Sequence, residues 1–419
     1  MNRRGFLGCV GAGVIVGAGK ALGAAPTPLS ERTRNALAEA FDQEMNAFMR
    51  AREIPGGALA VAKNGRVVYE RGYGWADRAS GLAADSKMRF RIASLSKPIT
   101  AAAVLRLSEE GKLNLDAPVL SILKLNAVGS AGAAGDERWN RVTVRHLLQH
   151  TGGWDRDRSG DPMFQSREIA KAVGETAPAS AAGIVRHMLG KPLDFDPGSR
   201  YAYSNFGYCL LGRVIERVSG ESYETYVRRA VLAPIGIQRM RLGATLESKC
   251  AWREAHYYTK DRAAGENLFD AGPRKVQAPY GTFCLESMDS HGGWIGSASD
   301  LVRFGMAFDK GAAEGKSMFL REETRRLMFT PPPAPVSRQP DGTLAASYYA
   351  NGWMVRPVKG GEENHWHTGS LPGTSSLLVR RWDGWVWAVV FNQRSEDPKL
   401  PDSDIDAALH RAADHSPQV

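Results

Sequence analysis

The sequence predicts an α+β/α chain: one antiparallel sheet flanked by terminal helices, with an all-helical lobe inserted between the two halves of the sheet. Three observations carry that reading. Apolar runs pair about turn residues near the start, a second such pair lies near the end, and the stretch between them is helical and rich in Gly, Pro and Asp loops.

The first helix is read in ERTRNALAEAFDQEMNAFMRAREIPGG, where Leu37, Phe41, Met45 and Phe48 form a helical stripe that stops at Pro55-Gly56-Gly57. GALAVAKNGRVVYERGYGWAD follows as a hairpin about Asn64-Gly65. A helix then begins near Ser94 and is closed by Gly111. From about 120 to 340 short helical segments such as TVRHLLQH and SAAGIVRHMLG alternate with loops, including VGSAGAAGD at 128–136. SNFGYCLLGRVIERVSG places Phe206, Leu210, Leu211, Val214 and Val218 on one helical face and ends at Gly220. TSSLLVRRWDGWVWAVVFNQ is a second hairpin, about Asp383-Gly384, in which Trp385, Trp387, Val389 and Phe391 alternate with Val386, Ala388 and Val390. DSDIDAALHRAADH closes the chain as a helix. The expected division is a sheet lobe from about 30–93 and 345–419 and a helical lobe from about 94–340, with a site in the cleft between them.

With 419 residues, 43% apolar and 24% charged, the chain is long enough for one large core or two intimate domains. Residues 1–25 read as an export signal: Arg3-Arg4 precede Phe6-Leu7, a glycine-diluted apolar stretch follows, and small residues at 23–25 offer a cleavage site. This resembles a twin-arginine signal, an ordinary Sec signal being the alternative. The expected product is a periplasmic or secreted domain of residues 26–419, with no stable membrane insertion after signal removal. Cys9 precedes the apolar stretch and is not read as a lipid attachment site. Loss of Arg3, Arg4 and Lys20 takes the formal charge from +9 to +6, a mildly basic surface without the cationic block or aromatic interleaving that nucleic acid requires. Of the three remaining cysteines, Cys250 and Cys284 are the pair for a single disulfide; three free thiols are the alternative.

The residues that carry chemistry are spread widely. RIASLSKPIT holds Ser94 and Lys97, three apart and so on one helical face. YAYSNFGY holds Tyr203 and Asn205 at the start of a helix. NHWHTGSLPGTSS brings His367, Thr368, Gly369 and Ser370 into the C-terminal hairpin, where a glycine lets substrate approach the strand edge. Singly, each has a plain structural reading, Ser94 and Asn205 as helix caps, Lys97 as a surface residue and Tyr203 as loop packing. Together, Ser94-x-x-Lys97, Tyr203-x-Asn205 and His367-Thr368-Gly369, in that order, resemble the penicillin-recognising serine hydrolases. The Tyr-x-Asn pair is similar to the branch of class C β-lactamases, family VIII-type esterases and D,D-peptidases. LLQHTGGW at 147–154 and GGWIGSASDLVRF at 292–304 add to the likeness, which covers most of 32–395.

The resemblance implies a β-lactamase/transpeptidase-like fold and a serine hydrolase that cleaves a small-molecule ester, amide or peptide through a Ser94 acyl-enzyme, without a cofactor or metal. Serine attacks a carbonyl only if a positioned base takes its proton. Both Lys97 and Tyr203 are candidates, and the resemblance favours Tyr203 as the base with Lys97 in support. It also gives Asn205 to Lys97 and the substrate oxygen, and the backbone N–H groups of Ser94 and Ser370 to the oxyanion. Where this group usually has Lys at the head of its third motif, the chain has His367, a group that titrates near neutrality. That weakens the alternative of a true class C-like β-lactamase or D,D-carboxypeptidase. A non-catalytic penicillin-binding or sensor module is a further alternative, against which stand all four of Ser94, Lys97, Tyr203 and Asn205. No Gly-x-Ser-x-Gly elbow supports an α/β-hydrolase. His146, His150, His365 and His367 lack the carboxylate partners of a metal site, with His150 expected to brace a loop. Trp154, Tyr257, Tyr258, Trp294 and Trp366 lie near the motif blocks as candidates for an aromatic cleft, with core packing expected for at least half of them.

Overall fold

The structure, a computed structural model, describes residues 29–127, 135–270, 272, 274–309, 319–339 and 341–417. The expected export signal and most of the loop at 128–136 lie outside the described residues.

Helix α1 (Glu31–Ala51) buries Leu37, Phe41, Met45 and Phe48, the stripe read from the sequence, and its N-terminus is capped by the Ser30 hydroxyl, which accepts from the Thr33 N–H at 3.1 Å. Strands β1 (Gly56–Lys63) and β2 (Arg66–Asp77) follow as a hairpin whose two turn residues, Asn64 and Gly65, both have positive φ. A tight two-residue turn of this kind matches the twist of its strands. A short β3 (Leu82–Ala83) edges the sheet. After the helical region come β4 (Tyr348–Tyr349), β5 (Met354–Pro357), β6 (Glu363–Leu371), β7 (Thr374–Arg380) and β8 (Trp385–Phe391), then a C-terminal helix described below. All pairings are antiparallel, in the order β3-β2-β1-β8-β7-β6-β5-β4, so the two sequence-distant hairpins join where β1 meets β8.

The central strands are covered on both sides, which explains the unbroken apolar run of β8. Trp385, Trp387, Val389 and Phe391 pack with α1 and the C-terminal helix at Asp404–His415. Val386, Ala388 and Val390 face the other core, together with Ala58, Ala60 and Ala62 of β1. The small residues on that face admit the helix at Ala298–Met306. An ideal Cβ on Gly305 there would lie 2.7 Å from Val386 Cγ1, and the Gly305 carbonyl accepts from Arg380 Nε at 2.8 Å. This helix packs directly on the sheet.

Helix α2 (Ser96–Glu109) runs through the middle of the molecule and is buried around nearly its whole circumference. It ends at Gly111, whose φ of 70° fits the left-handed turn that closes a helix. Helix α3 (Asn205–Ser219) lies among the buried residues of the helical lobe, with Phe206, Leu210, Leu211 and Val214 in the core, and ends at Gly220 with φ 74°. The lobe also holds strands that the sequence reading did not include: Phe90–Arg91, Trp294–Gly296 and Arg241–Leu242 form a small antiparallel sheet. Their two- and three-residue lengths carry no period to read.

Replacing Gly305 by Leu tests the close approach of helix and sheet. Overpacking of this kind costs about 1–3 kcal/mol, so the expected outcome is a lower urea midpoint with an unchanged m-value; an unchanged midpoint would show that the helix yields freely.

Candidate active site

Ser94 sits in a tight turn, Ala93–Leu95, that leads directly into α2. Ala93 before it has φ 47°, a left-handed conformation that costs a non-glycine residue energy and is held by its surroundings. The Ser96 hydroxyl donates to the Ala93 carbonyl at 2.7 Å, the Ser376 hydroxyl to the Ile92 carbonyl at 2.9 Å and the Thr374 hydroxyl to the Arg91 carbonyl at 2.8 Å. Three consecutive carbonyls, Arg91 to Ala93, are thereby tied to α2 and β7. Leu95 is the helix N-cap and Ser94 is not, leaving its hydroxyl open to the cleft.

Lys97 is fully buried, in contrast to a surface lysine. Its Nζ lies 2.9 Å from Ser94 Oγ, 2.8 Å from Asn205 Oδ1 and 3.0 Å from the His291 carbonyl oxygen. Burial, above all, pulls the amine well below its ordinary pKa; Asp161 pushes it up and Arg156 pushes it down. Asn205 is free to face Lys97 because Ser204 is the cap of α3, its hydroxyl accepting from the Gly207 N–H at 3.1 Å. The other end of the Asn205 amide donates to Asp161 Oδ2 at 2.6 Å.

Tyr203 lies beside both groups. Its ring centroid is 4.7 Å from Lys97 Nζ and 4.7 Å from the Arg156 guanidinium. Burial drives the phenol pKa upward, and the neighbouring Ser94 hydroxyl offsets only part of that. His150 braces this segment: the Ser204 N–H donates to His150 Nδ1 at 3.1 Å and the Ala202 N–H to the His150 carbonyl at 2.9 Å.

Strand β6 forms the opposite wall. An ideal Cβ on Gly369 would fall 2.2 Å from the Ile92 carbonyl oxygen and 3.1 Å from the Ser94 nitrogen, so only glycine lets the strand pass this close to the Ser94 turn. Thr368 and Ser370 line the cleft on either side of it. His367 is buried. Its Nδ1–H donates to the Thr368 carbonyl at 2.6 Å, which leaves Nε2 as acceptor for the Tyr349 hydroxyl at 3.1 Å. Burial, then the Lys97 charge, bring its pKa down to about 3. The expectation of a group titrating near neutrality is therefore corrected: His367 is a neutral imidazole throughout the physiological range.

The cleft has a volume of about 510 Å³ and takes in all the proposed residues with polar roles except the buried Lys97 and Gly369, which support it from behind. Its aromatic side chains are Phe164, Tyr201, Tyr203 and Tyr349. None of the five aromatics suggested by sequence lines it. Trp154 packs edge-on against Trp139 and Phe206, Trp294 is in the core, the Tyr257 hydroxyl donates to Glu254 at 2.9 Å, Tyr258 lines a different surface pocket, and Trp366 packs beneath Arg356. The remaining histidines have local tasks: His146 Nδ1 accepts from the Thr143 N–H, and His365 stacks on Phe329 and bonds Arg380. Cys209, Cys250 and Cys284 are all free thiols. Asp161, Arg156, Tyr349 and the His291 carbonyl were not found from sequence; the first three sit in no recognisable pattern, and a backbone acceptor has no side-chain signature.

A family model described as Beta-lactamase matches residues 41–412. Protein flp of Staphylococcus aureus (strain COL) is 24% identical over 374 residues, 88% of this chain and 66% of its own length. Penicillin-binding protein 4* of Bacillus subtilis (strain 168) is 25% identical over 365 residues, 84% of this chain and 71% of its own length. This chain thus spans just under two thirds of the length of the first. Among solved structures, the octameric penicillin-binding protein homologue from Pyrococcus abyssi superposes with a TM-score of 0.65 at 25% identity, over 89% of this chain and 77% of that one. The D-amino acid amidase from Ochrobactrum anthropi SV3 gives 0.65 at 22% identity, over 92% and 98%, a likeness of fold. With the matched region running from α1 to the C-terminal helix, the chain belongs to the beta-lactamase family of serine hydrolases.

Proposed function

We propose that the protein is an exported hydrolase that cleaves a small ester or amide through an acyl-enzyme on Ser94, with Lys97 as the base. The observation that carries this is the set of three contacts around Lys97 Nζ. The His291 carbonyl accepts only, and Asn205 presents its carbonyl oxygen, so both must receive N–H bonds. A neutral amine has two N–H groups and one lone pair. With both N–H groups engaged, the lone pair is left for the Ser94 hydroxyl 2.9 Å away.

In the proposed sequence the Ser94 O–H proton passes to Lys97 as Oγ bonds to the substrate carbonyl carbon. The resulting oxyanion is met by the N–H groups of Ser94 and Ser370, a reading supported by the passage of β6 against the Ser94 backbone at Gly369. Tyr203, a neutral phenol beside Ser94, gives its proton to the departing alkoxide or amine, and the Lys97 ammonium next to its ring returns a proton to the phenolate. Collapse expels the leaving group and leaves the acyl ester on Ser94, which water then cleaves by the reverse proton path. The preference for Tyr203 as a phenolate base gives way here, because burial lowers the Lys97 pKa and raises that of Tyr203, both of which oppose an ammonium–phenolate pair.

A neutral His367 offers no cation to a substrate carboxylate, which favours neutral esters and amides. Arg156 and Arg394 at the cleft are the observation that keeps penicillin binding as a second reading. Export rests on the sequence of residues 1–25; among the described residues no helix is long and apolar enough to cross a membrane.

The test is a panel of p-nitrophenyl esters, nitrocefin, labelled penicillin and D-amino-acid amides. Ester turnover is expected to fall about 10⁴-fold or more in Ser94→Ala; undiminished turnover would refute the acyl-enzyme. Labelling by penicillin together with nitrocefin turnover would move the assignment to the second reading.

The pH dependence has a definite sign. The base works when deprotonated, so kcat/KM rises with pH as Lys97 loses its proton, and this rise falls well below the ordinary lysine value of ~10.4. The raised Tyr203 pKa keeps the phenol protonated above pH ~10. A plateau through neutral and mildly alkaline pH is expected; a rise centred near pH 10 would overturn the assignment of Lys97 as base.

A further inference from the structure

The proposed chemistry depends on which end of the Asn205 amide faces Lys97, and the neighbour on the far side of that amide decides it. An amide has a donor end and an acceptor end of nearly equal shape. If Asn205 turned its NH₂ toward Lys97, the amine lone pair would be taken by that donor, and one Lys97 N–H would point at Ser94 instead. The serine proton would then have no acceptor.

Asp161 stands at the far end of this amide. It lies in the loop before a short turn at Pro162–Phe164, and its two oxygens have separate tasks: Oδ1 accepts from the Met163 N–H at 3.1 Å, and Oδ2 accepts from Asn205 Nδ2 at 2.6 Å. A carboxylate only accepts, so it admits the NH₂ end of Asn205 and rejects the carbonyl end. Asp161 is not among the residues lining the cleft. We infer that Asp161 is a positioning residue for the hydrolytic reaction, fixing the Asn205 amide so that its carbonyl faces Lys97 and the Lys97 lone pair faces Ser94. The chain of bonds runs Asp161, Asn205, Lys97, Ser94, with successive distances of 2.6, 2.8 and 2.9 Å. This rests on the reading of Lys97 as base.

Asp161 also acts through its charge, which favours the protonated amine. The groups that face Lys97 from the surrounding elements are Arg156 and Asp161 from the loops after Trp154, His150 from the loop before it, Tyr203 and Tyr208 at the start of α3, His291 before the small sheet with Arg213 beyond it, and His367 on β6. Apart from the tyrosines, which are held neutral by burial, Asp161 is the acidic member of this set.

The test uses Asp161→Asn, which is isosteric and retains an oxygen to cap the Met163 N–H. Two changes are expected with p-nitrophenyl butyrate as substrate. The plateau kcat falls about 10- to 100-fold with little change in KM, as misorientation of a reacting group does. The acid limb moves to lower pH, because loss of the negative charge makes Lys97 easier to deprotonate. In an Asn205→Ala background the same substitution is expected to change kcat less than about twofold, since its route of action is gone. A plateau within about twofold of the parent, or a full loss that persists in the Asn205→Ala background, would overturn the inference. So would a fall in kcat with no shift of the limb, which marks a merely structural role. Ser94→Ala run alongside separates the two levels: if it retains turnover, the hydrolase reading fails and this one with it; if it is inactive while Asp161→Asn is normal, only the role of Asp161 fails.

Discussion

A primary amine buried in the centre of the protein is the constraint on which the rest of the site depends. Lys97 has no carboxylate in direct contact, and an ammonium in such a place is costly unless it is paired. The fold answers this by favouring the neutral amine and giving it three polar neighbours. Each comes from a different part of the chain: the turn before α2, the first residue of α3 and the loop before the small sheet. The buried helix α2 makes this geometry rigid, because it has almost no solvent face on which to shift. Proton binding follows from the same burial. Between the depressed pKa of Lys97 and its ordinary value the unfolded chain binds more protons than the folded one, so this group makes stability rise with pH over that window.

The sheet supplies the second half of the site by bringing β6 against the same turn. The strained Ala93 conformation aims Ser94 outward, and the hydroxyls of Ser96, Ser376 and Thr374 hold the carbonyls on its N-terminal side. Gly369 permits the contact that a side chain would forbid. Under the proposed function these features serve one purpose, a serine hydroxyl and two backbone N–H groups fixed before substrate arrives, which is where electrostatic catalysis gains most. The uniform burial of β7 and β8 on both faces is the structural counterpart: the strands behind β6 are packed on both sides.

Much of this was legible in the chain. The stripe of Leu37, Phe41, Met45 and Phe48 and the turns at Asn64-Gly65 and Asp383-Gly384 encode their elements locally, through period and φ preference. Ser94, Lys97, Tyr203, Asn205 and His367 were visible because their order and spacing form a pattern larger than any one motif. The strands at Phe90–Arg91 and Trp294–Gly296 were not, since they are defined by partners far away in sequence. The aromatic lining was misread for a related reason. Trp154 and Trp294 lie near the motifs in sequence, yet sequence proximity says nothing about which side of a strand or loop faces the cleft, and both face the core. The charge state of His367 was beyond reach because it depends on burial against Tyr349 and Lys97.

The separation of Asp161 from Lys97 by one amide has a physical logic. A carboxylate touching the amine would provide orientation, yet it would also stabilise the ammonium and remove the lone pair that Ser94 needs. A neutral neighbour alone would leave the amine unprotonated but would not specify which way the Asn205 amide turns. Placing Asn205 between them divides the two effects. The hydrogen-bond direction is transmitted through the amide at full strength, because a donor end fixed on one side fixes an acceptor end on the other. The Coulomb attraction is weakened by the added distance, and Arg156 opposes what remains. The amine is thereby held in place by a charge whose grip on its proton is weaker than direct contact would give, as the proposed role of Lys97 as a base requires.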